Sequence, residues 1–258
     1  MEILKEHRVR FTLINDLDQY VVANALLKIG LKHKAIPWKI DSIDPEDSQH
    51  IFIGVDLGHN HAKRISNLTL TAIDNHGCII NSYQGKELPL NEVISLAELQ
   101  EAFNHLFKRI DARGRQITVH RDGIFKEIDN FHRVLEELGI RDYNLVEVVK
   151  TEVPLVGFRS IYEGNVSYLD GFEGYYVYTG DLSYLITNDQ SLNTDTSPTP
   201  LKIRKRFGYK SITELTEEIY WLTKPYSINI FLPSKLPVTT LLANNLSYSR
   251  DLIHFTTE

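Results

Sequence analysis

Two aspartates, Asp56 and Asp122, each close an apolar run that is typical of a buried β-strand. Asp56 ends "IFIGVD" and Asp122 ends "ITVHRD", and glycine and polar residues follow in both cases. If the two strands are neighbours in a sheet, their carboxylates lie together at one edge and repel one another unless a cation binds between them. Mg²⁺ and Mn²⁺ prefer carboxylate oxygen, and two such ions about 4 Å apart support cleavage of a phosphodiester. The pattern therefore predicts a two-metal hydrolytic site.

Either aspartate alone also has an ordinary structural explanation. Asp at the end of a strand often forms a turn or caps the helix that follows. The repetition of the pattern in two strands is what favours the metal site over this alternative.

The apolar patterns predict the elements that position these acids. A helix ending near Gly30 precedes the first strand, and three strands precede the first long helix. Strands are predicted at 51–56, 68–74, 78–84, 117–122, 143–150, 175–179 and 183–188, and helices at 91–110, 125–139, 211–224 and after Pro237. A loop is predicted at 188–201, where Ser, Thr, Asn, Asp and Pro are concentrated. This order indicates an α/β fold in which helices flank a mixed sheet.

Composition narrows the class of protein. The chain has 258 residues, of which 42% are hydrophobic, and its one cysteine, Cys78, excludes an internal disulfide framework. The N-terminus lacks the apolar core of a signal peptide, and no apolar run approaches the roughly 20 residues that cross a bilayer. We therefore expect a cytoplasmic protein with no membrane partner. The net charge of −6 argues against bulk electrostatic coating of nucleic acid but leaves room for a local basic groove.

Three motifs together resemble the PIWI domain of prokaryotic Argonaute proteins. They are "IGVDLGHN", "VHRDG" and the later "LPSKLPVTTLLANNLSY", and they occur in the family's order. The resemblance implies an RNase H-like fold that cuts a nucleic-acid target paired to a guide strand. The segment "NALLKIGLKHKAIPW" is similar to the last helix and following strand of the MID domain that precedes PIWI. We therefore expect a MID-like region at 1–45, with a short helix and strand, and a PIWI domain at 46–258.

The resemblance also implies a set of metal ligands and catalytic residues. Asp56 and Asp122 match the family's two aspartates, and Asn244 stands at its variable fourth position, where it offers a neutral oxygen. Glu87 matches the glutamate that the family carries on a mobile loop, and Glu92 is its rival. Glu87 is preferred because its loop contains Gly and Pro, whereas Glu92 opens a predicted helix whose dipole explains an acid there.

Several further residues are expected to contact nucleic acid. Lys28 matches a family lysine that binds the 5′-phosphate of the guide, and Asn24 lies four residues earlier on the same predicted helix face. The basic stretch "KIRKRFGYK" carries four candidates for contact with backbone phosphates: Lys202, Arg204, Arg206 and Lys210. A solvated charged strand and loop is the alternative interpretation of that stretch.

The expected function is guide-directed endonucleolytic cleavage that depends on two divalent ions, Mg²⁺ or Mn²⁺. The expected partners are guide DNA or RNA, complementary target DNA or RNA, and the remaining Argonaute domains in the same or a second chain. Two alternatives stay open. One is a module that binds guide and target without cutting and signals through a partner protein, which the neutral Asn244 favours. The other is a different RNase H-like nuclease or transposase, which needs neither Lys28 nor a MID-like helix.

Overall fold

A computed structural model of the chain describes residues 40–60, 62–90, 93–108, 110–151, 153–154, 158–162, 165–169, 173–187, 199–225 and 234–248. Within these residues the chain forms eleven strands and four helices. The first six strands are β1 (Ile51–Asn60), β2 (Ile65–Ile73), β3 (Ile79–Gln84), β4 (Leu88–Pro89), β5 (Ile117–Asp122) and β6 (Tyr143–Val149). The others are β7 (Phe158–Tyr162), β8 (Asn165–Leu169), β9 (Tyr176–Thr179), β10 (Leu182–Leu185) and β11 (Leu201–Phe207). The helices are α1 (Leu96–Phe107), α2 (Ile128–Glu137), α3 (Ile212–Leu222) and α4 (Val238–Tyr248).

Nine strands form one mixed sheet, and this confirms the predicted fold class. The strand order is β3-β2-β1-β5-β6-β11-β10-β9, with β4 also paired to β2. The three central strands β1, β5 and β6 run parallel, and antiparallel strands flank them on both sides. β7 and β8 form a separate two-stranded sheet. The sheet thus places β1 and β5 side by side, with Asp56 next to the end of β5, although β1 continues to Asn60 rather than ending at Asp56 as predicted.

Helices cover both faces of the sheet, as the continuous burial of the central strands requires. On one face, α1 and α2 enclose a core that includes Ile53, Val119, Phe103 and Phe131. On the other face, α3 packs against Val146 and Ile203, and α4 lies against β1 and β2. The residues of β1, β5 and β6 that face α3 and α4 include the two aspartates, so the candidate site lies on that side of the sheet.

The first helix begins later than predicted. Ser95 caps α1 in a capping box, because its side chain accepts a hydrogen bond from Glu98 N and Glu98 caps the Ser95 backbone in return. The helix therefore starts at Leu96 rather than at 91, and Glu92 precedes it. The dipole argument used to set Glu92 aside does not apply, although the position of Glu92 itself lies outside the described residues.

The remaining differences from the predicted elements involve short or charged strands. β4, β7 and β8 were not predicted, nor was β11, whose sequence "LKIRKRF" reads as a charged stretch. β11 alternates strictly at its start, since Leu201 and Ile203 are buried while Lys202 and Arg204 are half-buried. It joins the sheet through antiparallel pairing with β6, a long-range contact that local sequence cannot indicate.

Candidate metal and nucleic-acid site

Asp56 and Asp122 occupy equivalent places on neighbouring parallel strands. Val55 of β1 is paired with Arg121 of β5, so the next residue on each strand is an aspartate, and both aspartates face α4. Asp56 is 7% exposed, and the Asp122 side chain is 9% exposed. The structure therefore brings together the two acids on which the sequence interpretation rested.

Two glycines let α4 lie close above Asp56. Gly54 and Gly58 alternate with Asp56 along β1, and a Cβ atom at Gly54 would overlap the backbone carbonyl of Thr239. At Gly58 a Cβ atom would instead overlap the side chain of Ser247. The distance from Gly54 to Gly58 along the strand is about the same as the distance from Thr239 to Ser247 along the helix. α4 therefore runs along β1 and covers Asp56, which lies between the two glycines.

Two threonines of β2 tie α4 to the sheet from the neighbouring strand. Thr69 Oγ1 donates to the carbonyl oxygen of Ala243 at 2.8 Å, and Thr71 Oγ1 donates to that of Thr239 at 2.8 Å. Thr69 is also the register partner of Asp56. The helix that covers the acid is thereby held at two successive turns.

The surroundings of Asp56 disfavour its charged form. Burial and the neighbouring charge of Asp122 raise its pKa, while Ser247, Arg121 and Lys150 partly oppose the rise. Asp56 Oδ2 is buried and has no hydrogen-bond partner among the described residues. A buried carboxylate oxygen without a partner, beside a second carboxylate, suits a divalent cation. The donor set at this edge therefore fits Mg²⁺ or Mn²⁺.

Lys150 lies next to the acids and was not expected there, whereas Asn244 was expected to be a ligand. Lys150 follows β6 directly, and its Nζ bonds Asp122 Oδ2 at 2.9 Å. Asn244 is half-buried on α4, and its backbone carbonyl oxygen accepts a hydrogen bond of 2.7 Å from Ser247, a residue that also lowers the pKa of Asp56. Sequence reasoning missed Lys150 and Ser247. The alternation "GVDLG" of Gly54, Asp56 and Gly58 was a signal that a close element covers Asp56.

Glu87 lies apart from the pair in the structure. Its side chain is exposed, in the short connection between β3 and β4. The backbone is attached to β2 on both sides of it, since Gly85 N donates to Leu68 O at 2.8 Å and Leu88 is paired with Ser66. β2 and β1 separate this connection from Asp122 in the strand order. A role for Glu87 in the site requires the connection to move.

The basic stretch divides into surface residues and one buried lysine. Lys202 and Arg204 are half-buried on β11, and Arg206 pairs with Glu147 at 2.9 Å. Lys210 is 8% exposed, so a contact with a phosphate would require its ammonium to leave the interior. Its ammonium is directed inward because it bonds two buried acids, Asp44 and Glu218.

The buried acids around Lys210 have the spacing of a metal site but already hold a cation. Ligand atoms of Asp44, His50 and Glu218 lie within 4.8 Å of one another. Lys210 Nζ bonds both acids and lies 3.4 Å from His50 Nδ1. Burial alone would raise the pKa of Asp44, but hydrogen bonds from His50 and Lys210 and the charge of Lys210 lower it. The lysine thus supplies the positive charge that a metal would bring.

Some expectations lie outside the described residues. These are the helix ending near Gly30 with its candidates Asn24 and Lys28, the position of Glu92, and most of the predicted loop at 188–201. Among the described helices, none combines the length and the apolar character needed to cross a membrane.

The chain is similar in sequence and in fold to known Argonaute proteins. The chain is 24% identical over 241 residues to the Argonaute of Marinitoga piezophila, and this match covers 91% of the chain and 35% of the relative. Its fold superposes on Clostridium butyricum Argonaute, bound to a guide DNA and a 19-mer target DNA, with a TM-score of 0.75 and 27% identity. The chain is similar to prokaryotic Argonautes over most of its length. Its sheet and helices correspond to their PIWI-like, RNase H-like fold.

A second sequence match and a second structural match are also Argonautes. The Argonaute of Marinitoga hydrogenitolerans is 27% identical over 144 residues, covering 54% of the chain and 22% of that protein. The Marinitoga piezophila Argonaute in complex with a 5′-OH guide RNA has the same fold at a TM-score of 0.69 and 21% identity. No protein-family model matches the chain. The chain spans about a third of the length of the Argonautes it matches, with 91% of its own residues aligned to 31% of the Clostridium butyricum protein.

Proposed function

We propose that the chain is the guide- and target-binding PIWI module of an Argonaute and that it cuts the paired target by divalent-metal-dependent hydrolysis. The observation that carries the catalytic part is the Asp56–Asp122 pair. The two carboxylates are nearly buried on adjacent strands, and burial and the charge of Asp122 raise the pKa of Asp56. Asp56 Oδ2 also lacks a hydrogen-bond partner within the described residues. Fold stability alone gives no reason to place such a pair there, because burying like charges opposes folding.

Each residue has a defined task in this proposal. Asp56 and Asp122 hold the divalent ions, and Asn244 adds a neutral oxygen from α4. Bound ions would activate water and neutralise charge at the scissile phosphate. Glu87 reaches the site only when its connection swings away from β2, which couples completion of the site to seating of the duplex. α4 keeps bulk water from one side of Asp56 and fixes its orientation.

Nucleic-acid binding is proposed for the surface cations of β11 and for residues upstream. Lys202, Arg204 and Arg206 are placed to meet backbone phosphates, which supply affinity without reading sequence. Asn24 and Lys28 are proposed to hold the guide 5′ end. The guide and target of the Clostridium butyricum complex are DNA, whereas the guide of the Marinitoga piezophila complex is RNA, so the proposal covers both types.

We keep the division of the chain near residue 45 as part of the proposal. The preceding residues are assigned to the end of a MID-like region, and residues 46–258 to PIWI. The boundary is not sharp in the packing, because Ile43 is buried in a cluster with Phe52 and Val238. The remaining Argonaute domains are proposed as partners, in the same chain or a second one.

The direct test is cleavage of a guide-matched target by the Asp122→Ala variant of the full protein with Mn²⁺. We expect a loss of at least about a thousandfold in rate with guide binding nearly unchanged, because Asp122 serves the ions rather than the phosphates. Asp142→Ala is the matched control, since this exposed acid lies just before β6, at the opposite end of the same strands. Cleavage by Asp122→Ala at the wild-type rate would contradict the assignment.

A module that binds guide and target without cutting is the second candidate. It is favoured by the neutral Asn244 and by the exposed, β2-attached position of Glu87. It predicts that the wild-type protein retains guide and target through any metal titration while the target stays intact.

A further inference from the structure

Lys150 completes a row of three charges at the carboxyl edge of the central parallel strands. Asp56 lies within the buried part of β1, Asp122 ends β5, and Lys150 follows β6. The register pairs Asp122 with Val148, two residues before Lys150, so Lys150 faces the same side of the sheet as Asp122. Asp122 therefore has a like charge on one side and an opposite charge on the other.

The ion pair of Lys150 is placed on the atom that a metal would use. Lys150 Nζ lies 2.9 Å from Asp122 Oδ2, which is the bonding distance of a charge-assisted hydrogen bond. The charge of Lys150 also reaches Asp56, whose pKa it lowers against the larger effects of burial and Asp122. One ammonium thus partly offsets two carboxylates.

The Lys150–Asp122 ion pair can separate more easily than the other ion pairs nearby. The Lys150 side chain is 36% exposed and sits on a flexible four-carbon stem, so its ammonium can move into water at small cost. The Arg121–Glu127 pair beside it is almost fully buried and lies on the opposite face of the sheet. Lys210, a second lysine that bonds acids, is enclosed and has two carboxylate partners.

We propose that Lys150 is a built-in competitor of the divalent ion, which neutralises Asp122 in the metal-free protein and must leave Asp122 Oδ2 before an ion binds there. This proposal rests on the proposed metal site. Lys150 is then a positioning residue that sets how much metal the site needs. It also keeps the metal-free acids from repelling each other and opening the edge between β1 and β5.

The test measures binding of Mn²⁺ alone to the full protein, without nucleic acid, by the loss of the electron paramagnetic resonance signal of free Mn²⁺. We expect Lys150→Gln to bind Mn²⁺ about three- to tenfold more tightly than the wild type, because the competing cation is gone. Lys150→Arg should keep the wild-type affinity or weaken it. Lys108→Gln is the matched control, since it removes the same charge from an exposed position at the end of α1.

A double-mutant cycle separates competition at one atom from a general effect of charge. In an Asp122→Asn background, Lys150→Gln should change Mn²⁺ affinity by less than about twofold, because the contested oxygen no longer carries charge. Equal, measurable affinities of the wild type and Lys150→Gln would overturn the role of Lys150 while leaving the metal site intact. Absence of Mn²⁺ binding in both proteins would overturn the metal site itself and the competition with it.

Discussion

Asp56 combines burial, a neighbouring like charge and an oxygen without a partner in the described part of the chain. Any one of these opposes ionisation, and together they make the carboxylate unfavourable for the metal-free fold. Residues kept at the expense of stability are typical of functional sites. The same residue is therefore expected to weaken the fold and to support the reaction.

Asp56→Asn tests this at the scale of one side chain. In EDTA at pH 7 we expect the free energy of unfolding to rise by about 1 kcal/mol, because the amide carries no charge and can donate to Asp122. The sign follows from linkage. A carboxyl with a raised folded pKa imposes no penalty while both states are protonated, and the penalty grows as pH rises above the ordinary value of 3.8. The gain from Asp56→Asn should accordingly shrink towards pH 3.

Urea unfolding at both pH values measures the effect, with Asp142→Asn as the control for removal of an exposed acid. A variant less stable than the wild type at pH 7 would show that Asp56 stabilises the fold through contacts its charge makes.

Asn244 offers a second test at this scale. Asn244→Asp adds a carboxylate and should lower the Mn²⁺ concentration for half-maximal target cleavage by about tenfold, whereas Asn244→Ala should raise it by a similar factor or abolish cutting. Metal titrations of cleavage with a matched guide measure both. Identical curves for all three proteins would remove Asn244 from the ligand set.

At the scale of elements, the close approach of α4 to β1 orients the site. The helix passes Gly54 at Thr239 and Gly58 at Ser247, and threonines from β2 bond its carbonyls. The two glycines differ in what they meet. Gly54 faces helix backbone, which cannot give way, while Gly58 faces a serine side chain.

Gly54→Ala should therefore destabilise the protein by about 3 kcal/mol, at the upper end of the usual cost of overpacking a core. Gly58→Ala should also destabilise, and the additional change Ser247→Gly should recover part of the loss by removing the side chain that the new methyl group meets. Thermal or urea unfolding of the variants measures the series. Full stability of Gly54→Ala would mean that α4 does not press on β1 as described.

The sequence anticipated these elements unevenly, for physical reasons. The long apolar strands were predictable, since burial on both faces of a central strand leaves an uninterrupted apolar run. Asp122 does end β5, but β1 continues to Asn60 beyond Asp56. The start of α1 was misplaced because the apolar pattern extends beyond the capping box at Ser95. The burial of Lys210 was not predictable because a run of basic residues does not indicate which lysine turns inward. The inward direction of Lys210 depends on Asp44, which is distant in the sequence, and on Glu218, which is close.

At the scale of the whole molecule, the buried group around Lys210 joins segments that are far apart in the chain. Asp44 and His50 come from the residues before β1, His50 Nε2 bonds Thr118 of β5 at 2.9 Å, and Glu218 comes from α3. Burial opposes the charge of Lys210, but the acids of Glu218 and Asp44 raise its pKa, so the ammonium form is retained. The group fixes the segment leading into β1 against the sheet.

Lys210→Met should destabilise the protein by about 3 to 5 kcal/mol, because it leaves buried acids without their cation. Lys108→Met, at an exposed site, should change stability by less than about 0.5 kcal/mol. Chemical unfolding of both variants at neutral pH measures the difference. If Lys210→Met matched the control, the buried acids would have to be neutral in the folded protein.

The position of α4 in the chain has a consequence for the order in which the site is made. A ribosome completes β1 and β5, and with them both aspartates, well before it synthesises residues 238–248. Until that helix docks on Gly54 and Gly58, Asp56 lacks the cover that buries it. A growing chain therefore carries both acids before the helix that covers Asp56 is in place, and any activity of the proposed site has to await the docking of residues 238–248.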